Sequence, residues 1–206
     1  MPDHVVSSNA EETAEFMQSS AATAVRYAID SRVSRFTVRA FASGVLSAFG
    51  HNPTIAIRNY SGEVQLSAGQ PETASLRITI KASGLSVVDD ISDKDRREIE
   101  RQMQEEVLES ASYPEIVYEC STVSANKTGD GQYAAVLKGD LTLHGVTRSQ
   151  AVPAKVSVNG DMLRTFGDFS LHQTEYNIKL VSALGGALKV KDELKLSFDM
   201  VARKQA

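Results

Sequence analysis

Apolar and polar residues alternate over residues 139–158, whose sequence is GDLTLHGVTRSQAVPAKVSV. Every second residue of 137–143 is leucine or glycine, and every second residue of 152–158 is valine or alanine. A period of two is typical of a β-strand that packs one face on a core. The sequence His-Gly-Val-Thr-Arg lies between the two runs. We therefore predict two antiparallel strands joined by a turn at this sequence.

The same alternation recurs along most of the chain after residue 24. The clearest further runs are residues 35–40, 76–81, 115–123 and 194–200. Turns are predicted between strands by glycines that can adopt positive φ, most clearly at Gly131 and Gly160. We count about eight strands and one helix, which predicts a barrel or sandwich with an apolar interior. The inward positions that we predict include Val38, Ala40, Leu76, Ile78, Ala135, Leu141, Ala154, Val156 and Leu196.

Residues 92–110 show helical periodicity instead. Ser92 is a good N-cap, and an acidic residue, Asp95, follows three positions later. Most other positions are charged, and the apolar residues recur at a spacing of four: Ile99, Met103 and Val107. Such a narrow stripe predicts a surface helix that covers another part of the molecule with one side. We expect the Tyr113-Pro114 pair to end the helix, because the residue before a proline disfavours helical backbone.

The length of 206 residues suits one domain with a full core and an additional tail. Residues 1–24 are polar, acidic and rich in Ser and Ala, and we interpret them as a flexible or loosely helical extension. Residues 25–206 form the predicted barrel domain. A net charge of −4 and the lack of tryptophan argue against a nucleic-acid partner, since phosphate contacts need a basic face.

No apolar stretch approaches the length of a membrane span, so we predict no stable membrane insertion. The first residues lack both the basic start and the apolar core of a secretory signal. These two observations together predict a cytoplasmic location.

Catalytic motifs are missing from the sequence. We find no Gly-x-Ser-x-Gly elbow, no His-Glu-x-x-His pair and no phosphate-binding loop, which predicts a protein that is not an enzyme and needs no cofactor. Cys120, the one cysteine, lies in a strand-like run and is interpreted as a buried structural thiol. A weaker alternative is a metal-dependent protein in which His51, His144 and His172 converge on zinc. Their wide spacing does not support it, and His144 is more simply a turn residue that hydrogen bonds to the loop backbone.

Four segments resemble the YceI-like family of lipid or polyisoprenoid-binding barrels. The most specific is GDLTLHGVTRSQAVP, and RYAIDSRVSRFTVRA, the helix that leads into YPEIVYEC, and the closing KDELKLSFDMVA are also similar. Together they span residues 25–202. Two features differ from the family pattern. Many members carry a secretory signal, and typical members have a different helix sequence before Tyr-Pro.

The resemblance implies an all-β fold: an antiparallel eight-stranded lipocalin-like β-barrel with one surface α-helix and a tunnel for a long apolar chain. A barrel of eight strands is just wide enough to hold one slender ligand. We therefore expect binding or transport of a long-chain amphiphile of the polyisoprenoid or fatty-acyl type, without a bound metal, and a possible homodimer. The ligand contacts that we predict are Phe36, Val38, Phe49, His51, Tyr118, Phe169, Leu196 and Phe198. The alternative is a non-catalytic stress-response or interaction module whose barrel is filled by side chains.

Overall fold

The computed structural model describes residues 24–44, 52–67 and 69–205, so the predicted extension lies almost wholly outside the described residues. One α-helix is described, α1 (Asp93–Gln102). The strands before α1 are β1 (Ala24–Ile29), β2 (Arg35–Arg39), β3 (Ala42–Ser43), β4 (Thr54–Ile57), β5 (Tyr60–Ser67), β6 (Gln70–Lys81) and β7 (Leu85–Val87). The strands after α1 are β8 (Glu115–Gly129), β9 (Gln132–Leu143), β10 (Val146–Asn159), β11 (Met162–His172), β12 (Ser182–Ala183), β13 (Leu188–Val190) and β14 (Glu193–Lys204).

Eight strands form a closed antiparallel barrel in the order β1-β5-β6-β8-β9-β10-β11-β14, and β14 pairs back onto β1. This confirms the predicted eight-stranded architecture. Two strands share one edge of β14. Residues 195–199 of β14 pair with β2, and residues 202–204 pair with β1. From β2 the sheet continues through β4 to β7, which adds a short flap to the barrel wall.

The change of partner along β14 occurs at Val201, where the side chain of Ser34 replaces a strand. The Val201 N–H donates to Ser34 Oγ at 2.9 Å. The Ser34 hydroxyl lies 2.8 Å from the carbonyl oxygen of Asp30 and 3.2 Å from that of Val201. Because Ser34 is only 9% exposed, its hydroxyl is a buried partner for the Val201 N–H, while the Val201 carbonyl oxygen also accepts from the Asp30 N–H at 2.9 Å.

The Asp30 carboxylate fixes the same turn from outside. It accepts hydrogen bonds from Arg32 Nε at 3.0 Å and from Arg203 Nε at 3.1 Å. The guanidinium groups of Arg32 and Arg203 lower the pKa of Asp30 to about 2. The carboxylate therefore stays ionised over the physiological range and holds the start of the barrel to its last strand.

The hairpin predicted from residues 139–158 is present. β9 and β10 pair from Leu143↔Val146 to Gln132↔Ser157, joined by a two-residue turn. His144 and Gly145 both have positive φ, 50° and 71°, which matches the turn type that continues the twist of antiparallel strands. Leu141, Leu143 and Val152 are buried, as the alternation predicts.

The predicted helix is present, but it ends earlier than expected. Ser92 caps α1 by accepting from the Asp95 N–H at 3.1 Å, and the chain continues from α1 into a π-helical turn, Met103–Val107. Glu109 then adopts a left-handed φ of 44°, so the helix ends before the Tyr113-Pro114 pair that we expected to end it. None of the described helices is both long and apolar enough to cross a membrane.

The predicted inward positions form the core. Buried at 9% exposure or less are Val38, Ala40, Leu76, Ile78, Ala135, Leu141, Ala154 and Leu196, while Val156 is partly buried. Cys120 is buried, and burial raises the pKa of its thiol, which is consistent with the predicted structural role. The sequence pattern missed the second sheet, in which β13 pairs with β12 and β3, because its strands are only two or three residues long.

Replacing Ser34 with alanine tests whether the closure of the barrel at Val201 depends on the Ser34 hydroxyl. In Ser34→Ala the Val201 N–H loses its partner in a buried position, and we expect the free energy of unfolding to fall by about 1–3 kcal/mol. Urea denaturation followed by far-UV circular dichroism measures this change.

Ser61→Ala is the matched control, because Ser61 is exposed on β5. We expect this control to change stability by less than about 0.5 kcal/mol. Equal stability of the two variants would show that the hydroxyl of Ser34 is dispensable for closure.

Candidate ligand-binding site

The half of the barrel next to α1 encloses an apolar cavity of about 360 Å³, which we call the first cavity. Its wall includes side chains from β2, β4, β6, β8, β9, β10, β11 and β14, and from α1 with its π-helical turn. A volume of this size falls in the range of about 300–1,000 Å³ that is usual for small-molecule sites. Side chains therefore do not fill the barrel, which argues against the alternative of a filled interior.

Six of the eight predicted ligand contacts line the first cavity: Phe36, Val38, Tyr118, Phe169, Leu196 and Phe198. Phe198 is central among them, since its ring lies 5.8 Å from Phe36 and 6.4 Å from Phe169, centroid to centroid. The other two, Phe49 and His51, lie outside the described residues. The structure thus brings the six side chains to one space, and their contact with a ligand stays a prediction.

Polar side chains are few in this wall. Besides Tyr118, the polar residues that line the first cavity are Gln102, Gln150, Gln173 and Lys189. Among the described lining residues Lys189 alone is charged, and none is a histidine, a cysteine or a carboxylate. Such a wall stabilises an uncharged apolar chain by burying it away from water. A charged group buried against the apolar part of the wall would lack a partner of opposite charge, which is unfavourable.

Gln173 is the most buried of these polar side chains, at 4% exposure. Its Nε2 donates to the Lys191 carbonyl oxygen at 2.9 Å. Because a carbonyl oxygen only accepts, this bond fixes the orientation of the amide, so Oε1 is the free end. No described residue donates to Oε1 in the structure. Gln173 therefore carries a free hydrogen-bond acceptor and is one of the few polar residues of an apolar wall.

Gln173 lies at the end of the first cavity that the second sheet borders. It directly follows β11, and the Lys191 to which it bonds follows β13 and donates its N–H to the Phe41 carbonyl oxygen at 2.8 Å. Lys189, on β13, is exposed and also lines this end. A polar end of a ligand would thus meet one acceptor and one cation here. Sequence reasoning missed Gln173 because it lies in a 3₁₀ turn without strand periodicity.

Tyr118 spans the inner face of β9. Its hydroxyl lies 3.1 Å from the carbonyl oxygen of Leu137 and 3.1 Å from that of Gln150. Burial raises the pKa of the Tyr118 phenol, so the group stays protonated and acts as a donor to these backbone groups. Tyr118 thereby contributes its ring to the cavity while its polar tip is already satisfied.

The π-helical turn and α1 close one side of the first cavity. Ile99, Met103, Val107 and Leu108 line the cavity, which confirms the predicted one-sided helix. The π-helical turn explains why Val107 and Leu108 both reach the cavity, because it changes the angular position of the residues that follow.

Side chains of α1 bond to β7, the edge strand of the flap. Arg96 donates to the carbonyl oxygens of Val87 at 2.7 Å and Asp89 at 2.8 Å, and Glu100 accepts from the Val87 N–H at 2.9 Å. The helix thus satisfies both backbone groups of Val87 at an edge that is otherwise open to pairing with another chain.

His144 contacts the loop backbone and an aromatic ring. Its Nδ1 lies 3.2 Å from the Tyr176 carbonyl oxygen, and its ring packs 4.4 Å from that of Tyr113. His172 has its Nδ1 3.5 Å from a carboxylate oxygen of Asp192. Within the described ranges no group of three His, Cys, Asp or Glu residues is placed to hold a metal ion. His51 lies outside those ranges.

The other half of the barrel contains a second cavity of about 350 Å³, at the end where the β5–β6 and β10–β11 hairpins turn. Its wall includes Gly69 and Gly160 from these turns, nine valine or leucine residues, and a few polar residues such as Gln70 and Ser75. Thr165 is the buried polar residue in this wall, at 6% exposure, and its Oγ1 has no hydrogen-bond partner among the described residues.

The fold is a lipocalin-like barrel. It is closed and antiparallel, it has one covering helix, and its interior is apolar, largely uncharged and wide enough for one small ligand. Within this class the profile of the YceI-like domain matches residues 27–202 of the chain. The chain belongs to the YceI-like family. A search of curated proteins finds no significant match.

Solved structures share the fold at low sequence identity. BcnA of Burkholderia cenocepacia is 18% identical with a TM-score of 0.65, over 84% of this chain and 98% of BcnA. A polyisoprenoid-binding domain from Saccharophagus degradans, implicated in plant cell wall breakdown, is 12% identical with a TM-score of 0.63, over 87% of this chain and 98% of that domain. The Campylobacter jejuni YceI protein is 14% identical with a TM-score of 0.54, over 76% and 87% of the two chains.

Replacing Arg96 with alanine tests whether α1 is held by its contacts with β7. In Arg96→Ala two backbone carbonyl groups lose a charged donor, and we expect a loss of about 1–3 kcal/mol in local stability. Hydrogen–deuterium exchange should then become faster in α1 and β7, with little change in β8 to β11.

Arg97→Ala is the control, because Arg97 is exposed and, among the described residues, donates to the Asp93 carbonyl oxygen of the same helix and not to β7. Equal exchange of α1 in both variants would mean that Arg96 does not anchor the helix.

Proposed function

We propose that this protein binds a long-chain amphiphile of the polyisoprenoid or fatty-acyl type in the first cavity and serves as its carrier. The observation that supports this most directly is an apolar space of about 360 Å³ inside a closed barrel, with a single charged residue in its described wall. A buried methylene contributes about 0.8 kcal/mol, so a chain of modest length supplies enough free energy to offset the cost of association.

The relatives support the same function. The Saccharophagus degradans structure, which shares the fold, is described as a polyisoprenoid-binding domain. The chain lacks a matched nucleophile and base in the described cavity wall, and its one cysteine is buried with a raised pKa. These observations favour binding over catalysis and over a barrel used only as a scaffold.

We propose that the ligand lies with its polar end toward Gln173 and Lys189 and its apolar chain toward the aromatic group of Phe36, Phe169 and Phe198. Only in this orientation does an amphiphile place its polar end against polar side chains and bury its apolar chain against aromatic ones. The free acceptor of Gln173 favours a hydroxyl or another donor at the polar end, because an amide oxygen accepts hydrogen bonds and its Nε2 is already engaged with Lys191.

Binding of geranylgeraniol, an isoprenoid alcohol, tests the function. We expect the purified, delipidated protein to bind it, and we expect Leu196→Trp to weaken the affinity at least tenfold by filling the cavity. Isothermal calorimetry measures the binding to wild type and variant, and native mass spectrometry checks for a lipid that co-purifies.

Lys195→Trp is the matched control, because Lys195 is the exposed neighbour of Leu196 on β14. We expect it to leave the affinity within about twofold, as for a surface substitution of near-neutral effect. If neither geranylgeraniol nor palmitic acid binds the wild type, and no lipid co-purifies, the protein is not a carrier of this class.

Gln173→Leu tests the orientation. The variant removes the acceptor, and we expect geranylgeraniol to bind roughly tenfold more weakly, as for the loss of one buried hydrogen bond. The methyl ether of geranylgeraniol cannot donate, so its affinity for wild type and variant should be equal. The variant also loses the hydrogen bond from Gln173 to Lys191, and any effect of that loss on the cavity would change the affinity for both ligands equally. The difference between the two ligands therefore reports the acceptor alone. Equal losses for alcohol and ether would place the polar end elsewhere.

A further inference from the structure

Three side chains line both cavities: Leu76, Leu137 and Met200. They lie on β6, β9 and β14, which are the third, fifth and eighth strands in the order of the closed barrel. The three side chains therefore approach the barrel axis from different sides. They form a constriction between the two cavities, and we use this name for the three residues together.

The second cavity has the same apolar character as the first. Its wall includes apolar side chains such as Val64, Leu66, Val123 and Leu163. Each cavity is near the lower end of the usual volume of a ligand site. A chain too long for the first cavity would find a second apolar space of equal size directly beyond the constriction.

Met200 is the member of the constriction best suited to move. An unbranched methionine has more rotatable bonds than leucine and adapts its shape to its neighbours. The backbone of Leu137 is held by the hydroxyl of Tyr118, at 3.1 Å from its carbonyl oxygen. Met200 is paired in register with Thr165, whose hydroxyl has no partner among the described residues and which lines the second cavity.

We propose that this constriction selects ligands by chain length, with Met200 as the specificity-determining residue. Short chains occupy the first cavity and leave Met200 in place. Long chains displace the Met200 side chain and extend into the second cavity. The inference rests on the proposed function, since it concerns how the same ligand class is accommodated.

The test compares farnesol, a short isoprenoid alcohol, with solanesol, a long one, both presented in the same detergent micelles. Met200→Phe puts a stiff ring in the constriction. We expect the affinity for solanesol to fall at least tenfold, while that for farnesol changes less than twofold. Met200→Ala opens the constriction, so solanesol should associate faster and farnesol should again change little.

Two further variants make the result independent of the folding of Met200→Phe. Leu163→Phe fills part of the second cavity at a residue that is not a member of the constriction, and it should also weaken the binding of solanesol alone. Lys138→Phe is the matched control, because it adds the same ring to the exposed neighbour of Leu137 on β9 and should change neither affinity.

Equal losses for both alcohols in Met200→Phe, or no loss for solanesol in either Met200→Phe or Leu163→Phe, would overturn the proposal while leaving the proposed function intact. If the wild type binds neither farnesol nor solanesol, it does not bind isoprenoid alcohols, and length selection fails together with the isoprenoid part of the proposed function. A crystal structure with solanesol should show the chain passing Met200, and a chain confined to the first cavity would also overturn the proposal.

Discussion

The closure of the sheet on β14 is the constraint on which the interior depends. This strand pairs with β11 on one edge and with both β2 and β1 on the other. A sheet that opened here would expose the apolar side chains of Leu196, Phe198 and Met200 to water. The hydroxyl of Ser34 completes the ladder where the partner changes, so one small side chain maintains the hydrogen bonding that a continuous strand gives elsewhere.

The closed barrel encloses more space than its side chains occupy. Protein interiors are normally packed as densely as organic crystals, and a void deprives the atoms around it of dispersion contacts. Two cavities of about 360 and 350 Å³ within one domain therefore carry a standing cost in stability. A ligand that fills the cavities restores the missing dispersion contacts and stabilises the fold. The loose packing is therefore consistent with the proposed carrier function. The mixture of small and large inward residues, such as Ala135 beside Leu137 and Leu141, creates the space.

The sequence predicts the barrel well because strand periodicity depends on local alternation. The β9–β10 hairpin and the closing strand have the strict period of two, and the structure places their apolar faces inward. The spacing of Ile99, Met103 and Val107 predicts the helix, but it does not predict the π-helical turn, because a spacing of four residues does not distinguish an α-helical turn from a single π-helical turn. Gln173 and the constriction could not be predicted either. Their significance comes from which side chains meet across the barrel, and this is set by the stagger of strands far apart in sequence.

The helix connects the fold with access to the interior. Through Arg96 and Glu100 it covers the free edge of β7, and through Ile99 and Met103 it closes the first cavity. The same element thus satisfies the backbone of an edge strand and separates the apolar interior from water. Because its bonds to β7 are few and lie near the surface, α1 is held less firmly than the barrel strands, which are paired along their length. Side-chain contacts of one helix, and not the ladders that close the barrel, therefore cover this side of the first cavity.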